Sequence, residues 1–257
     1  MKTPRHHADL VRESFSPRAD AYLKSAVHAS GPDLDRLDAL LRGHAQAELL
    51  DLGCGGGHVS YLAAARVRRV TACDMSENML ETVRRAAAER GLDNIATRQG
   101  TAESLPFADA SFDLVASRYS AHHWHDVGLG LREVRRVLKP GGMLLLSDVA
   151  SPGHPVPDIY LQTVEMLRDP SHVRDYSPGE WLEFVGQAGL RAEELTSFRL
   201  RLEFSSWIAR MRTPEVRAQA IRSLQETASD EVRAHFAIEP DGSFTVDCLF
   251  LTAVKAR

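Results

Sequence analysis

The sequence of 257 residues contains few cysteines and no long apolar run. Its 3 cysteines, Cys54, Cys73 and Cys248, form no C-x-x-C pair of the kind that binds zinc or exchanges disulfides, so we expect buried free thiols. Nowhere do about 18 apolar residues follow one another, and Met1 to Phe15 is charged and lacks the apolar core of a signal peptide. We therefore expect a cytoplasmic protein without a membrane partner.

The sequence also lacks an excess of positive charge. Lysine and arginine number 31 against 35 acidic residues, for a formal net charge of -4. Because a protein of this charge does not attract phosphate backbones, nucleic acid is not an expected partner. The apolar fraction of 44% is enough for a packed core, and we expect residues 1–257 to form a single domain. The sequence does not indicate the oligomeric state.

Short apolar runs alternate with helical patterns from residue 48 onward. The predicted strands are Glu48–Leu52, Arg69–Cys73, Ile95–Gln99, Phe112–Ser117 and Met143–Val149. This alternation predicts an α/β fold with a parallel sheet flanked by helices. Beyond residue 150 the pattern becomes mainly helical around a sixth strand at Ser197–Phe204, and a last strand follows at Phe244–Val254.

A glycine-rich loop, D-L-G-C-G-G-G over residues 51–57, joins the first strand to the next helix. Glycines allow a sharp turn and close approach of a ligand, and the N–H groups at the helix N-terminus favour a carboxylate or a phosphate. A dinucleotide fingerprint, G-x-G-x-x-G, would require glycine where His58 stands. This weakens the alternative of a nicotinamide-dependent oxidoreductase.

The D-x-G-x-G-x-G pattern of this loop resembles the class I S-adenosylmethionine-dependent methyltransferases. Further segments, at 100–107, 112–118 and 133–142, resemble the ubiquinone and menaquinone biosynthesis C-methyltransferases and their small-molecule relatives. The resemblance covers residues 11–150. It implies S-adenosyl-L-methionine as cofactor, a small-molecule methyl acceptor, and a Rossmann-like doubly wound sheet, mostly parallel with a C-terminal antiparallel strand. C-, O- and N-methylation all remain open, as does a non-catalytic S-adenosylmethionine-binding protein.

The candidate cofactor residues follow the ends of the first four strands. Asp74 stands where a carboxylate can accept hydrogen bonds from both ribose hydroxyls, and Met75 where it can lie against adenine. Thr101 replaces the aspartate or asparagine usual in the family, so Glu103 or a backbone carbonyl could make that contact. The predicted set is Asp51, Gly53, Cys54, Gly55, Gly56, Asp74, Met75, Thr101, Ala102, Glu103 and Arg118.

Three residues are candidates for the acceptor pocket. His122 and His123 follow the fourth strand, where one of them could act as a base, although packing is the alternative and their spacing fits no zinc motif. We therefore expect no metal. Residues 15–22 match an F-x-x-x-A-x-x-Y segment that folds over the cofactor in the family, which would bring Tyr22 to the site; simple helix packing is again the alternative. No catalytic residue is predicted, because the methyl group of a sulfonium is already activated.

These observations predict four regions within the domain: an N-terminal helical lid at 1–35, a cofactor-binding core at 36–150, substrate-cap insertions at 151–239, and the last strand at 240–257.

The sequence lacks the N/D-P-P-Y/F tetrad after the fourth strand and the Pro-Cys nucleophile. Base methylation of DNA is therefore disfavoured.

Overall fold

The sheet follows the predicted architecture in a computed structural model that describes residues 6–19, 23 and 29–257. Its seven strands lie in the order β3-β2-β1-β4-β5-β7-β6. They are β1 Glu48–Leu52, β2 Arg69–Asp74, β3 Ile95–Gln99, β4 Phe112–Arg118, β5 Leu138–Ala150, β6 Leu190–Leu202 and β7 Phe244–Lys255. Neighbouring strands are parallel except at β7, which pairs antiparallel with both β5 and β6. The predicted Rossmann-like sheet with an antiparallel C-terminal strand is confirmed.

Helices of the described residues connect and cover these strands. They are α1 His7–Phe15, α2 Pro32–Leu41, α3 His58–Ala64, α4 Glu77–Glu89, α5 Val127–Val137, α6 Pro155–Arg168, α7 Pro178–Gln187, α8 Phe204–Met211, α9 Glu215–Thr227 and α10 Asp230–His235. Ser76 caps α4 by accepting the N–H of Met79, and Gly91 follows the end of that helix with φ +66°. Within the described ranges, no helix is long and apolar enough to span a bilayer.

The two faces of the sheet are covered by different helices because side chains alternate along each strand. Leu49 of β1 packs with Leu37 of α2, whereas its neighbour Leu50 belongs to the opposite cluster with Leu131 of α5. All three cysteines are buried free thiols, as expected. With both faces occupied, the carboxyl ends of the parallel strands remain the edge where a ligand can enter.

Strand β6 begins at Leu190, earlier than predicted, because it pairs with β7 along its whole length, from Leu190 opposite Lys255 to Leu202 opposite Phe244. As an edge strand it tolerates charged side chains that face solvent. Phe204, the predicted end of this strand, instead starts α8, where the Glu203 carboxylate accepts N–H groups of the first turn.

Strand β5 also begins earlier than predicted, at Leu138, which pairs with Phe112. The Lys-Pro-Gly-Gly segment at 139–142, whose composition is typical of a turn, lies inside this strand. A register shift between Phe112 and Leu114, together with Gly141 at φ +80°, accommodates the segment within the strand.

The region at 151–239 packs in two places. α6 joins α8, α9 and α10 in one cluster around Trp207 and Phe236, against Phe244 of β7. α7 instead lies on the sheet, where its Trp181 and Val185 belong to the same core as Leu131 of α5.

Candidate cofactor site

A cavity of about 400 Å³ lies at the carboxyl ends of β1, β2 and β4. All eleven predicted cofactor residues line it. They come from four loops that are distant in sequence, and the parallel strands bring these loops to one edge of the sheet. Residues of α1, among them His7, Val11 and Phe15, also line the cavity.

The glycine loop reaches the cavity in a left-handed backbone conformation. Gly53 has φ +71° and Gly55 has φ +48°. A Cβ on Gly53 would lie 1.9 Å from the Oγ of Ser120, so this glycine is required for packing against the turn after β4. A Cβ on Gly55 would meet nothing within 4 Å. Gly55 therefore leaves room on the cavity side, where a ligand can approach the backbone closely.

Asp74 is held by the main chain at the end of β2. Its Oδ2 accepts the N–H of Gly55 at 3.0 Å, and its Oδ1 accepts the N–H of Ser76 at 2.8 Å. Burial raises the pKa of Asp74, and these backbone hydrogen bonds oppose the shift. Each carboxylate oxygen can accept a further hydrogen bond, so Asp74 is fixed in place without exhausting its capacity.

Asp51 lies deeper, at the end of β1, with 1% of its surface exposed. Burial raises its pKa to about 7, although the Oγ of Ser60 donates a hydrogen bond of 2.6 Å that lowers it. The carboxyl group of Asp51 thus changes charge near neutral pH at the floor of the cavity.

Arg118 lines the cavity at the end of β4, where it forms an ion pair with Asp33. Its Nε and Nη2 both donate to the Asp33 carboxylate, Nη2 at 3.3 Å, and the two side chains are 7% and 1% exposed. Asp33 belongs to the first turn of α2, so the ion pair ties the chain before β1 to the end of β4. Sequence reasoning missed Asp33, because no local pattern relates it to β4.

Some polar groups of the segment after β3 form hydrogen bonds that stabilise the neighbouring loops. The Oε1 of Glu103 accepts the N–H groups of His125 at 2.7 Å and Asp126 at 3.3 Å. Thr101 accepts the N–H of Ser104 through its carbonyl at 3.2 Å. Glu103 therefore fixes the turn before α5 with one oxygen, which leaves the other for the contact that Thr101 lacks.

The two candidate acceptor histidines lie in a 3-10 turn at Ala121–His123 and face different surroundings. His123 lines the cavity, whereas His122 is not among the lining residues. The Nδ1 of His122 lies 2.5 Å from the Oδ1 of Asp148. Tyr22, the third candidate, lies outside the described residues.

His123 is anchored by the loop after α6. Its Nδ1 lies 3.1 Å from the carbonyl of Ser171, and its Nε2 lies 3.9 Å from Asp169. Burial, reinforced by the neighbouring His122, lowers the pKa of His123 to about 4. The ring is therefore neutral at pH 7, with Nδ1–H donating to Ser171, and it is a weak base.

Comparison with known proteins supports the chemistry that this cavity suggests. Residues 50–146 match the profile of a methyltransferase domain. The uncharacterized methyltransferase YcgJ of Bacillus subtilis is 39% identical over 224 residues, which cover 87% of this chain and 88% of that protein. The chain belongs to the class I S-adenosylmethionine-dependent methyltransferases.

Solved and curated relatives extend this likeness over most of the methyltransferase chain. The crystal structure of YcgJ superposes with a TM-score of 0.84 at 36% identity, covering 88% of this chain and 98% of that chain. An uncharacterized protein of Escherichia coli K12, YafE, is 58% identical over 79% of this chain and 99% of its own length. A demethylmenaquinone methyltransferase of Listeria monocytogenes is 34% identical over 59% of this chain and 69% of its own length.

The protein is thus an enzyme of the S-adenosylmethionine-dependent methyltransferase class, and its relatives support a small molecule as methyl acceptor. This membership decides against the nicotinamide-dependent alternative. It also favours catalysis over a purely S-adenosylmethionine-binding role.

Proposed function

We propose that this methyltransferase binds S-adenosylmethionine across residues 51–56, 74–75 and 101–103, and methylates an uncharged, planar small molecule. The composition of the acceptor end of the cavity is the observation that carries the proposal. The lining side chains beyond the cofactor residues include Val11, Phe15, Leu129, His7, His123 and His125. Among the described lining residues none is lysine, and the one arginine is paired with Asp33. Among these described residues, an acidic or phosphorylated acceptor would therefore find no lysine and no further arginine as a counter-ion.

The residues present fit the proposed cofactor. Gly55 leaves space for a bulky ligand to approach the backbone closely. Main-chain N–H groups fix the orientation of Asp74, whose carboxylate retains lone pairs for two ribose hydroxyls. The Asp51 carboxyl group, whose pKa burial raises to about 7, also lines the cavity, and a positive group of the cofactor would favour its ionised form. The cofactor would supply an activated methyl group.

The remaining wall residues orient the acceptor and exclude water. The His123 ring is held by the Ser171 carbonyl and meets the Phe15 ring edge-on, with centroids 4.8 Å apart. Holding the nucleophile in line with the transferred methyl can contribute about 7–11 kcal/mol to lowering the barrier. Because His123 is a weak base, we propose an acceptor whose nucleophilic atom loses its proton readily, such as a quinol or phenol. The name of the demethylmenaquinone methyltransferase among the relatives specifies a quinone, the oxidised form of a quinol, which supports this choice.

The test compares acceptors of matched shape and different charge. Formation of S-adenosylhomocysteine is measured with a panel of hydroxynaphthalenes and quinols and with their carboxylated counterparts. We expect turnover with the neutral compounds, and a loss of at least about tenfold in kcat/KM when a carboxylate is added, which corresponds to about 1.4 kcal/mol. Preferential turnover of the carboxylated series would contradict the proposed acceptor class.

We also propose that α1 acts as a lid. Its described contacts with the cavity wall include His7, whose Nε2 lies 3.0 Å from the carbonyl of His123, and Phe15, whose ring meets that of His123; Val11 is the buried residue of the helix. Just beyond its end, the Oγ of Ser16 lies 2.7 Å from the Oγ of Ser76. A helix with so small a buried face belongs to the least stable part of a structure and can open locally.

Hydrogen exchange tests the lid. Amides of α1 should exchange rapidly in the free protein and slow on saturation with S-adenosylhomocysteine, because a ligand that contacts the closed state shifts the population toward it. The control is α5, whose Leu131, Val134 and Val137 are fully buried and whose central amides should be protected in both samples. Equal, strong protection of α1 in both samples would show that it is a permanent part of the core.

A further inference from the structure

A second cluster of polar side chains lies behind the cavity wall, between three elements that are distant in sequence. It contains His122 from the turn after β4, Asp148 from β5, and Asp175 from the loop between α6 and α7. One ligand-capable atom of each lies within 4.8 Å of those of the other two. In the described part of the chain, this is the one group of three or more histidines, cysteines and acids with such spacing.

Within this cluster, Asp148 and His122 form a pair that main-chain hydrogen bonds hold in place. Asp148 accepts main-chain N–H groups from Ala121 at 2.9 Å and Val149 at 2.9 Å, and it faces the Nδ1 of His122 at 2.5 Å. A carboxylate held in this way fixes the orientation of the imidazole and increases its basicity, an arrangement common behind metal-bound histidines. The ring nitrogen that faces Asp148 carries a hydrogen, so a metal ion bound there would displace a proton.

Asp175 brings a buried carboxylate oxygen that no described residue satisfies. The residue is 2% exposed, and its Oδ2 has no hydrogen-bond partner in the part of the chain that the structure describes. The Nε2 of His172 is 3.9 Å from this oxygen and instead lies 2.9 Å from the Oε1 of Gln162. A buried carboxylate oxygen without a partner costs free energy unless a cation or proton compensates it.

The neighbouring arginines do not provide that compensation. Arg174, next to Asp175 in the chain, forms ion pairs with Asp158 at 3.1 Å and Glu180 at 3.4 Å. Arg168 lies 3.5 Å from Glu165. Asp148 is already paired with His122, whereas no arginine or lysine of the described residues pairs with Asp175, which is buried beside them. A divalent ion would compensate the Asp175 carboxylate.

We propose that His122, Asp148 and Asp175 hold a divalent first-row transition-metal ion. One imidazole and two carboxylates form a mixed donor set that suits Zn²⁺, Mn²⁺ or Fe²⁺. Adjacent donors around an ion with bonds of about 2.1 Å lie about 3.0–3.4 Å apart, so the three donor atoms, which lie within 4.8 Å of one another, would draw closer by up to about 2 Å. The pair of His122 and Asp148 would open to admit the ion, or Asp148 would bind through its other oxygen.

The ion would have a structural role at the acceptor side of the active site. The carbonyl of His122 accepts the N–H of Val173 at 2.8 Å, so the loop before α7 already rests on the turn that carries His123. A metal bound to Asp175 and His122 would fasten the same loop to the same turn. The cavity itself remains separate, because none of the three proposed ligands is among its lining residues.

Metal binding is tested on the full chain, purified without a polyhistidine tag. Metal content per chain is measured by mass spectrometry, and protein treated with chelator is titrated with Co²⁺ while its d–d absorption bands are recorded. We expect one ion per chain and a rise in Tm of about 5–10 °C at metal concentrations 100-fold above Kd. Anomalous scattering from crystals soaked in Zn²⁺ locates the ion.

Two isosteric variants test whether the metal ion binds at this cluster or elsewhere on the chain. Asp175→Asn should weaken Co²⁺ binding by at least about 100-fold, since loss of even an outer-shell partner costs 10–100-fold. Asp169→Asn removes another buried carboxylate of the same loop outside the cluster, and should change affinity by less than about threefold. A native chain that binds no Co²⁺ or Zn²⁺, an ion located elsewhere, or equal affinity in Asp175→Asn would overturn the proposal. The native titration and the diffraction measurement remain decisive even if Asp175→Asn does not fold.

Discussion

The buried carboxyl group of Asp51 should make the stability of this methyltransferase depend on pH in a predictable direction. In the folded protein burial raises its pKa to about 7, whereas an unfolded aspartate titrates near pH ~3.9. Between these values the folded state keeps a proton that the unfolded state has lost. The free energy of unfolding therefore falls as pH rises through this window and levels off above about pH 7.

The magnitude follows from the difference between the two pKa values. Each pH unit inside the window is worth about 1.4 kcal/mol, so Asp51 should cost about 2–3 kcal/mol of stability between pH ~5 and pH ~8. Asp51→Asn keeps the shape of the side chain and an oxygen that can accept the Ser60 hydroxyl, but it cannot ionise. The variant should therefore gain about 2–3 kcal/mol relative to the native protein over the same pH range.

Urea unfolding of both proteins at several pH values measures this difference, since carboxyl groups common to both cancel in the comparison. Ser60→Ala is the matched control: the Ser60 hydroxyl lowers the pKa of Asp51, so its removal should move the window to higher pH. If the native and Asp51→Asn curves run parallel from pH ~5 to pH ~8, Asp51 does not hold its proton in the folded state and the reasoning fails.

Three further predictions concern the site. Asp74→Asn should weaken S-adenosylmethionine binding by about 10–100-fold, because charge-assisted hydrogen bonds are worth ~1.5–3 kcal/mol, and unchanged affinity in calorimetry would contradict its placement. Gly55→Val should lose cofactor binding and, because φ +48° is strained for valine, some stability; Gly53→Ala should lose more stability through the clash of its Cβ with Ser120. Circular dichroism and calorimetry separate the two losses, and a folded Gly55→Val protein that binds normally would count against the loop assignment. Asp33→Ala should cost about 3–5 kcal/mol by leaving Arg118 buried without its partner, and adding Arg118→Met should restore much of it; urea unfolding that shows equal losses would rule this out.

Local sequence patterns were sufficient for the parts of this protein that depend on neighbouring residues. The alternation of short apolar strands with helical segments predicted the sheet, and β1 and β3 have the predicted bounds. The glycine spacing and Asp74 indicated the cofactor loops. A left-handed backbone requires glycine and a ribose contact requires an acid at a strand end, and a few adjacent residues are enough to show both. The bounds of β6 could not be predicted from the sequence, because this edge strand is defined by its pairing with β7 and not by its own pattern.

Only the tertiary structure decided which distant residues meet. Asp33 neutralises Arg118, and Asp148 and Asp175 surround His122, across separations along the chain that carry no periodic signal. The two adjacent histidines were equivalent candidates in the sequence, yet His123 faces the cavity and His122 faces the buried acids. The physical reason is that the sequence sets the chemical type of a side chain, whereas burial and the charges packed around it set its pKa and its partners.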